Sequence, residues 1–385
     1  MLRAVRLSTA AIRARALRGH PWAYRAEVEI LGAPPADGEA VELTDPRGYT
    51  LGAGIWNGRS QIVWRRFSSR SEPLDDALLG RRLEAALARR VDTPFRRLVY
   101  AEADHLPGLI VDQFGPLLSV QANTLGMDRR LPAILDWLRR RLSPDEIVLR
   151  LDTPVRELEG LPLRSVTASG NPLPPRRLVH AGLSWTVDLL GGQKTGLYLD
   201  QFPQHARVAS FAKGRRMLDA FCNQGGFALS AAKAGAREVI GVDQSAEAIT
   251  AARANAEVNQ LPQTLFEEGN VFDWLRDRAD ERFDLVVLDP PPFARSKEAV
   301  EGALRGYKDL TLRALRLLNP GGMLATYSCS QRVTEAIFQE VTEAAAADAR
   351  RALRVVERVG QPADHPEMLG FPEGRYLKGL ILEVV

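Results

Sequence analysis

The stretch from Arg216 to Asp243, RMLDAFCNQGGFALSAAKAGAREVIGVD, constrains the fold more than any other part of the chain. An apolar run ends in Asp219, a turn carries Gly225 and Gly226, an Ala-rich segment follows, and a second apolar run, Val239 to Val242, is closed by Asp243. Strand, glycine turn, helix, strand and acid in that order predict a βαβ unit with its ligand at the carboxyl edge of a parallel sheet. Glycine in the turn lets the backbone approach that ligand, and the acid after the second strand can accept both hydroxyls of a ribose.

Two nucleoside ligands suit such a unit, dinucleotides and S-adenosylmethionine, and the turn separates them. A dinucleotide site needs G-x-G-x-x-G so that a helix N-terminus can take the pyrophosphate. Here Asp219-Ala220-Phe221-Cys222-Asn223-Gln224-Gly225-Gly226 has no third glycine and puts an acid at the strand end, which repels a pyrophosphate and suits a methionine ammonium. S-adenosylmethionine is therefore the expected cofactor. Asp219, Phe221, Asn223, Gly225, Asp243 and Gln244 should surround it, with Asn270 and Val271 after the next strand.

The alternation continues beyond Asp243. Ala246 to Asn259, Arg305 to Leu318 and Thr334 to Ala347 read as helices. Thr264 to Glu268, Phe283 to Leu288, Gly322 to Tyr327, Val355 to Val359 and Leu377 to Val384 read as strands. With the two strands of the central unit these make a seven-stranded sheet. The strand Phe283 to Leu288 runs into Asp289-Pro290-Pro291-Pro292-Phe293, whose prolines force the chain out of the sheet at the ligand edge. The next strand ends in Ser328-Cys329-Ser330, so Asp289 and Cys329 should face one ligand.

The region before this domain is organised differently. Residues 1–70 carry 11 Arg against 6 Asp plus Glu, a basic bias in a chain of net charge +3, and basic surfaces attract polyanions. Short apolar runs at Arg25 to Leu31, Ala40 to Leu43 and Leu51 to Ile55, punctuated by Gly and Pro, predict a small β-rich module. Trp22 and Arg25 offer the pairing of aromatic and cation that single-stranded RNA binders use, the alternative for Trp22 being a core aromatic. Residues 71–92 predict a packing helix. Residues 97–175 predict a second β-rich segment around a helix at Arg130 to Arg141, and the acids from Glu102 to Asp112 are read there as turn residues around Pro107-Gly108. Two cysteines, Cys222 and Cys329, are too few for a disulfide framework and lack partners at zinc spacing. No metal, no membrane and a cytoplasmic location are expected.

Several phrases carry a resemblance. Leu17-Arg18-Gly19 before His20-Pro21-Trp22 resembles the PUA domain of RNA methyltransferases. Gly191-Gly192-Gln193-Lys194-Thr195-Gly196 before Leu199-Asp200-Gln201 is similar to a G-x-K-T-G-x-x-L-D-Q signature of the same family. With Asp-Pro-Pro-x-Phe-Ala, Lys297 and Tyr-Ser-Cys-Ser, the layout resembles the bacterial large-subunit (23S) ribosomal RNA 5-methylcytosine methyltransferase I family over nearly the whole chain. Cys222-Asn223-Gln224 and His180-Ala181-Gly182 depart from it mildly.

The resemblance implies an α/β fold: a class I methyltransferase, Rossmann-like seven-stranded domain at 181–385, a PUA-like RNA-binding domain at 1–70 and an α+β linking domain at 71–180. It implies that Lys194, Thr195, Asp200 and Gln201 close over the cofactor's methionine end. Ribosomal RNA is the implied partner, and oligomeric state stays open, a homodimer being one alternative. In the chemistry expected, Cys329 adds to cytosine C6 so that C5 can accept a methyl group, Asp289 bonds the N3 edge, and Pro290, Pro291 and Phe293 bound the base. Two alternatives stand beside it: methylation of an exocyclic amine of guanine or adenine through the Asp-Pro-Pro phrase, and an RNA-binding scaffold without catalysis.

Overall fold

The computed structural model describes residues 2–8, 10–192, 195–294 and 298–385. The chain divides into two compact units, one of Met1–Val179, Val187–Leu199 and Ala363–Gly374, the other of His180–Thr186, Asp200–Pro362 and Arg375–Val385.

The first unit contains two sheets. Strands β1 (Arg3–Leu7), β2 (Trp22–Ala23), β3 (Val28–Ile30), β4 (Ala40–Thr44), β5 (Thr50–Trp56) and β6 (Trp64–Ser68) run in the order β2-β6-β5-β4-β1-β3. Sequence reading misses β1, because Arg3 and Arg6 mask a period-two pattern whose Val5 and Leu7 are buried. Residues Arg25–Glu27 form a 3-10 turn, so the strand expected from Arg25 begins at Val28. The second sheet holds β7 (Phe95–Tyr100), β8 (Leu109–Phe114), β9 (Leu117–Ala122), β10 (Glu146–Leu151) and β11 (Arg164–Thr167), in the order β11-β10-β9-β8-β7. Between the sheets in sequence lies the Asp76–Ala88 helix, opened by the Asp75 side chain accepting from the Leu78 amide at 2.8 Å. Its Leu78, Leu79 and Leu83 join one core with Ala53, Ile55 and Phe67 of the first sheet and Val111, Val120 and Ile134 of the second segment.

The acids from Glu102 to Asp112 are structural, as expected, but not as turn residues at the surface. Asp104 and Asp112 are fully buried and Glu102 nearly so. Glu102 pairs with Arg65, Asp104 with Arg89 and Arg90, and Asp112 with Arg97. Burying a carboxylate is unfavourable unless a cation and donors satisfy it, and local sequence does not reveal partners so far along the chain.

In the second unit, β14 (Arg216–Ala220), β15 (Glu238–Asp243), β16 (Thr264–Glu268), β17 (Phe283–Leu288), β18 (Leu318–Ser328), β19 (Leu353–Gly360) and β20 (Lys378–Val384) form one seven-stranded sheet in the order β16-β15-β14-β17-β18-β20-β19. Strands β14 to β18 pair in parallel, while β20 lies antiparallel to both β18 and β19. The preceding strands β12 (Arg176–His180) and β13 (Leu183–Val187) lie where the chain passes from one unit to the other. The order reverses between β14 and β17, which makes their carboxyl ends a topological switch point. Helices Gly226–Lys233, Ala246–Val258, Val271–Asp277, Val300–Leu317 and Glu335–Ala349 connect the strands. The core packs Leu218, Ile240, Val286 and Leu324 of the sheet against Tyr307, Leu310, Ala314 and Phe338 of the helices.

Candidate active site

The site is built at that switch point from the turn after β14. Phe221 and Asn223 sit in the left-handed region at φ 67° and 47°, and Gly225 at φ 87°. Side chains are disfavoured there, and such strain gathers at ligand sites. The amides of Phe221 and Cys222 both donate to the Val242 carbonyl, tying the turn to the end of β15. Gly226 starts the following helix, and a Cβ on it would fall 2.3 Å from the His205 ring, so only glycine fits.

Asp243 fixes the turn from the other side. Its Oδ2 accepts the Asn223 amide at 2.9 Å and its Oδ1 the Ser245 amide at 3.0 Å, each oxygen keeping a lone pair for a hydroxyl. Gly269 donates to the Asp243 carbonyl, which brings the exposed Asn270 and the buried Val271 to the same edge. Asn270 caps the Val271–Asp277 helix, its Oδ1 accepting from the Phe272 and Asp273 amides. Gln244 is exposed beside Asp243.

Asp219 is fully buried at the end of β14, where its Oδ2 accepts the Ala228 amide at 2.9 Å. Burial pushes its carboxyl up to about 8, and the carboxylates of Asp289 and Asp243 push in the same direction. Around it, four buried polar atoms have no partner among the described residues: Asp219 Oδ1, Gln201 Oε1, His205 Nδ1 and the Tyr327 hydroxyl. Contacts and charge link these residues: burial, and after it the Asp289 and Asp219 carboxylates, raise the Tyr327 hydroxyl well above its ordinary range. Gln201 donates to Asp289 Oδ2 at 2.9 Å, and Phe227 lies between His205 and Tyr327, with ring centroids 4.5 and 5.4 Å away. Burial holds His205 down at about 3, so it is a neutral ring at physiological pH. Unsatisfied buried polar atoms point to a ligand that completes them. Three converging carboxyls suit one that carries positive charge, and S-adenosylmethionine, with its sulfonium and ammonium, meets both conditions.

Asp289 and Cys329 follow adjacent parallel strands, β17 and β18. The Asp289 amide donates to the Ala220 carbonyl at 3.4 Å, which holds it against the cofactor turn. Cys329 is partly exposed, its Sγ 3.9 Å from the Pro290 carbonyl oxygen. Cys222 is buried, and burial raises its thiol well above the ordinary cysteine range. Pro290 is buried and Pro291 exposed. Phe293 packs on Tyr307 at 4.9 Å and on Phe272 at 6.1 Å.

Sequence reading missed what holds Cys329. Ser328 and Ser330, on either side of it, both bond the Tyr307 hydroxyl at 3.0 Å. Opposite Ser328 in the β18–β20 register stands Lys378, whose Nζ donates to the Ser330 carbonyl at 2.7 Å and the Tyr376 carbonyl at 3.0 Å. The Tyr376 hydroxyl donates to Asp200 Oδ2 at 2.6 Å. Tyr327 was legible as the end of a strand and the first residue of the Tyr-Ser-Cys-Ser phrase. Lys378 and Tyr307, far from any motif, gave no signal.

Other expected residues lie elsewhere. Lys194 and Lys297 are outside the described residues. Thr195 belongs to the first unit, where its hydroxyl donates to buried Asp112 at 2.6 Å. Trp22 and Arg25 are in that unit too, and both are engaged. The Trp22 indole donates to Glu102 at 2.8 Å and its ring meets Phe371 edge-on at 4.6 Å, while Arg25 donates to the Gly58 and Ser60 carbonyls. Trp22 is thus a packed, half-buried aromatic and not an open stacking platform, because the buried Glu102 carboxylate draws its donor inward.

Among the described residues no helix is long and apolar enough to cross a membrane, and no group of His, Cys, Asp and Glu is able to hold a metal ion. Comparison with known proteins places this geometry. Residues 164–381 match an S-adenosylmethionine-dependent methyltransferase family and residues 5–69 a PUA-like domain. A protein of Tolumonas auensis named ribosomal RNA large subunit methyltransferase I is 39% identical over 96% of this chain and 96% of its own. One of the same name from Shewanella denitrificans is 39% identical over 99% and 100%. Among solved structures, a methyltransferase complexed with SAH superposes with a TM-score of 0.84 at 20% identity, covering all of both chains, a likeness of fold. Sheet order, acidic turn and full-length similarity agree: this chain belongs to the S-adenosylmethionine-dependent methyltransferases, in the family of the ribosomal RNA large subunit methyltransferase I proteins.

Proposed function

We propose that the protein methylates C5 of a cytosine in large-subunit ribosomal RNA through a covalent adduct between Cys329 and C6. The observation that carries the reading is the partly exposed Cys329 thiol at the end of β18, beside Asp289 at the end of β17, at the edge where the cofactor turn lies. The names of the full-length relatives support ribosomal RNA as the substrate.

The bound cofactor supplies an electrophilic methyl group. Asp219 would hold its ammonium, Asp243 its ribose hydroxyls, and Val271 would border its base. The Cys329 thiolate adds to C6, and the C5–C6 π pair becomes nucleophilic at C5. Asp289, with a proton between its carboxyl and N3, stabilises the charge that develops on the ring as C5 takes the methyl group, whose former bond pair would stay with the cofactor sulfur. Loss of the C5 proton to a base then returns the electron pair to the ring, breaks the C6–S bond and frees the thiolate. Cys222 is the weaker candidate for this role, since its burial disfavours the thiolate. The packing of Phe293 on Tyr307 and Phe272 argues against the amine-methylation alternative, which needs that ring to stack on a base.

RNA containing 5-fluorocytosine tests the mechanism, because fluorine at C5 does not leave as a proton does and the adduct persists. A protein–RNA conjugate should form with the parent and with Cys222→Ser. Cys329→Ala should give neither conjugate nor methyl transfer. Methylation by Cys329→Ala at a rate near the parent's would remove the covalent mechanism.

A further inference from the structure

A pocket of about 470 Å³ lies within the first unit, between the chain leaving β6, Ser68 to Glu72, and the Asp76–Ala88 helix. Its helical wall is Leu78, Arg81, Arg82 and Ala85, a spacing of i, i+3, i+4 and i+7 that makes one stripe along the helix. Leu78 is buried and Ala85 is small, so the space above them stays open. Arg70 enters from the other wall.

The arginines set this pocket apart. Several arginines elsewhere in the unit have protein partners: Arg65 pairs with Glu102 and Glu159, Arg90 with Asp104, Arg97 with Asp112 and Arg156 with Asp128, while buried Arg66 donates to the Ala16 carbonyl. Among the described residues, no hydrogen bond or ion pair engages the guanidinium of Arg70, Arg81 or Arg82, and the Arg82 Nε is buried with no partner. The lining has a single carboxylate, Glu72, and the Ser68 hydroxyl donates to it. Glu72 also acts on the charge of Arg82, so three cations face a single carboxylate. The positive field reaches His105, which burial pushes down and which Arg82 and Arg89 push further.

We infer that this pocket is a seat for the RNA backbone, in which Arg70, Arg81 and Arg82 hold phosphates. The inference rests on the RNA reading above. A guanidinium presents a planar fork that matches two phosphate oxygens, so arginines without protein partners are suited to phosphodiesters. The volume takes a nucleotide and not just a bare ion. An acidic peptide is the competing occupant. The 11 Arg against 6 acids in residues 1–70 favour an extended polyanion over a short one.

Filter binding of the full-length protein to a transcript of large-subunit ribosomal RNA, over a range of salt, tests the seat. Arg81→Ala/Arg82→Ala should bind roughly tenfold more weakly, with a salt slope shallower by about 0.7–0.9 for each phosphate no longer neutralised. Calorimetric affinity for S-adenosylmethionine should be unchanged. Ala85→Trp fills the pocket without changing charge and should weaken binding likewise. The charge-matched control Arg139→Ala/Arg140→Ala, on the helix Leu131–Leu142, should bind as the parent does.

If Arg81→Ala/Arg82→Ala binds no worse than this control, or Ala85→Trp binds like the parent, the seat is wrong while the RNA reading stands. If the double variant keeps its RNA affinity but loses binding to polyglutamate, the pocket belongs to an acidic peptide and the seat is again overturned. A parent protein that binds no RNA would overturn seat and function together.

Discussion

Asp219 shows what a single buried carboxyl does to the behaviour of the site. Its folded value, about 8, lies above the ordinary 3.8, so the protein without cofactor binds this proton more tightly than the unfolded chain does. The stability it contributes is complete below 3.8 and is lost as pH rises through about 8. A cationic methionine end reverses the preference, since an ammonium beside Asp219 favours the carboxylate. Cofactor binding at pH 7 should therefore release roughly one proton. Calorimetry in two buffers of different ionisation enthalpy measures it, and Asp219→Asn should abolish the difference. A parent enthalpy independent of buffer would show that Asp219 is already ionised or lies away from the ammonium. Asp219 could be singled out in the sequence because it ends a strand before a glycine turn. Its protonation could not, because Asp243 and Asp289, which help to raise it, lie 24 and 70 residues further on.

At the scale of elements, the parallel strands were legible because buried strands read as continuous apolar runs, and β16 and β17 fall within the bounds expected of them. The helix Phe202–Ala209 was not legible. It follows the Asp200-Gln201 phrase without a side-chain cap and draws its packing from His205 against Phe227. The turn bearing Cys329 was half legible: its position came from the strand before it, its support from elements elsewhere in the unit. The Tyr307 hydroxyl bridges Ser328 and Ser330 inside the core, which fixes the backbone on both sides of the thiol. Removing it leaves two buried hydroxyls short of a partner, at about 1–3 kcal/mol. Tyr307→Phe should thus lower the melting temperature and slow methyl transfer while leaving the affinity for S-adenosylmethionine unchanged, since Asp219 and Asp243 do not depend on it. Equal loss of cofactor affinity would mean that Tyr307 supports the whole sheet edge and not the thiol turn alone.

At the scale of the molecule, sequence order suggests modules that can be cut apart, and the packing does not follow that order. The first unit takes in Val187–Leu199 and Ala363–Gly374, segments that lie between stretches of the second unit in the chain. Leu189, Leu197 and Phe371 in those segments are buried, as is His365. The small β-rich module and the region after residue 71 share one core, in which Ala53, Ile55 and Phe67 pack with Leu74 and Leu83. No pattern read within a short window can reveal such interleaving, because each segment carries an ordinary apolar run whichever unit it joins. A fragment of residues 180–385 retains Asp219, Asp243, Asp289 and Cys329, yet it loses the body to which its two returning segments belong. Each large apolar side chain uncovered forfeits about 1.5–3 kcal/mol, a large share of a domain's stability. The fragment should accordingly aggregate or melt well below the full chain, and it should bind S-adenosylmethionine more weakly in calorimetry even though every acid of the site is present. A fragment that unfolds in one sharp transition at the parent's temperature, with the parent's affinity, would show instead that the methyltransferase half is self-sufficient and that the returning segments serve the other unit alone.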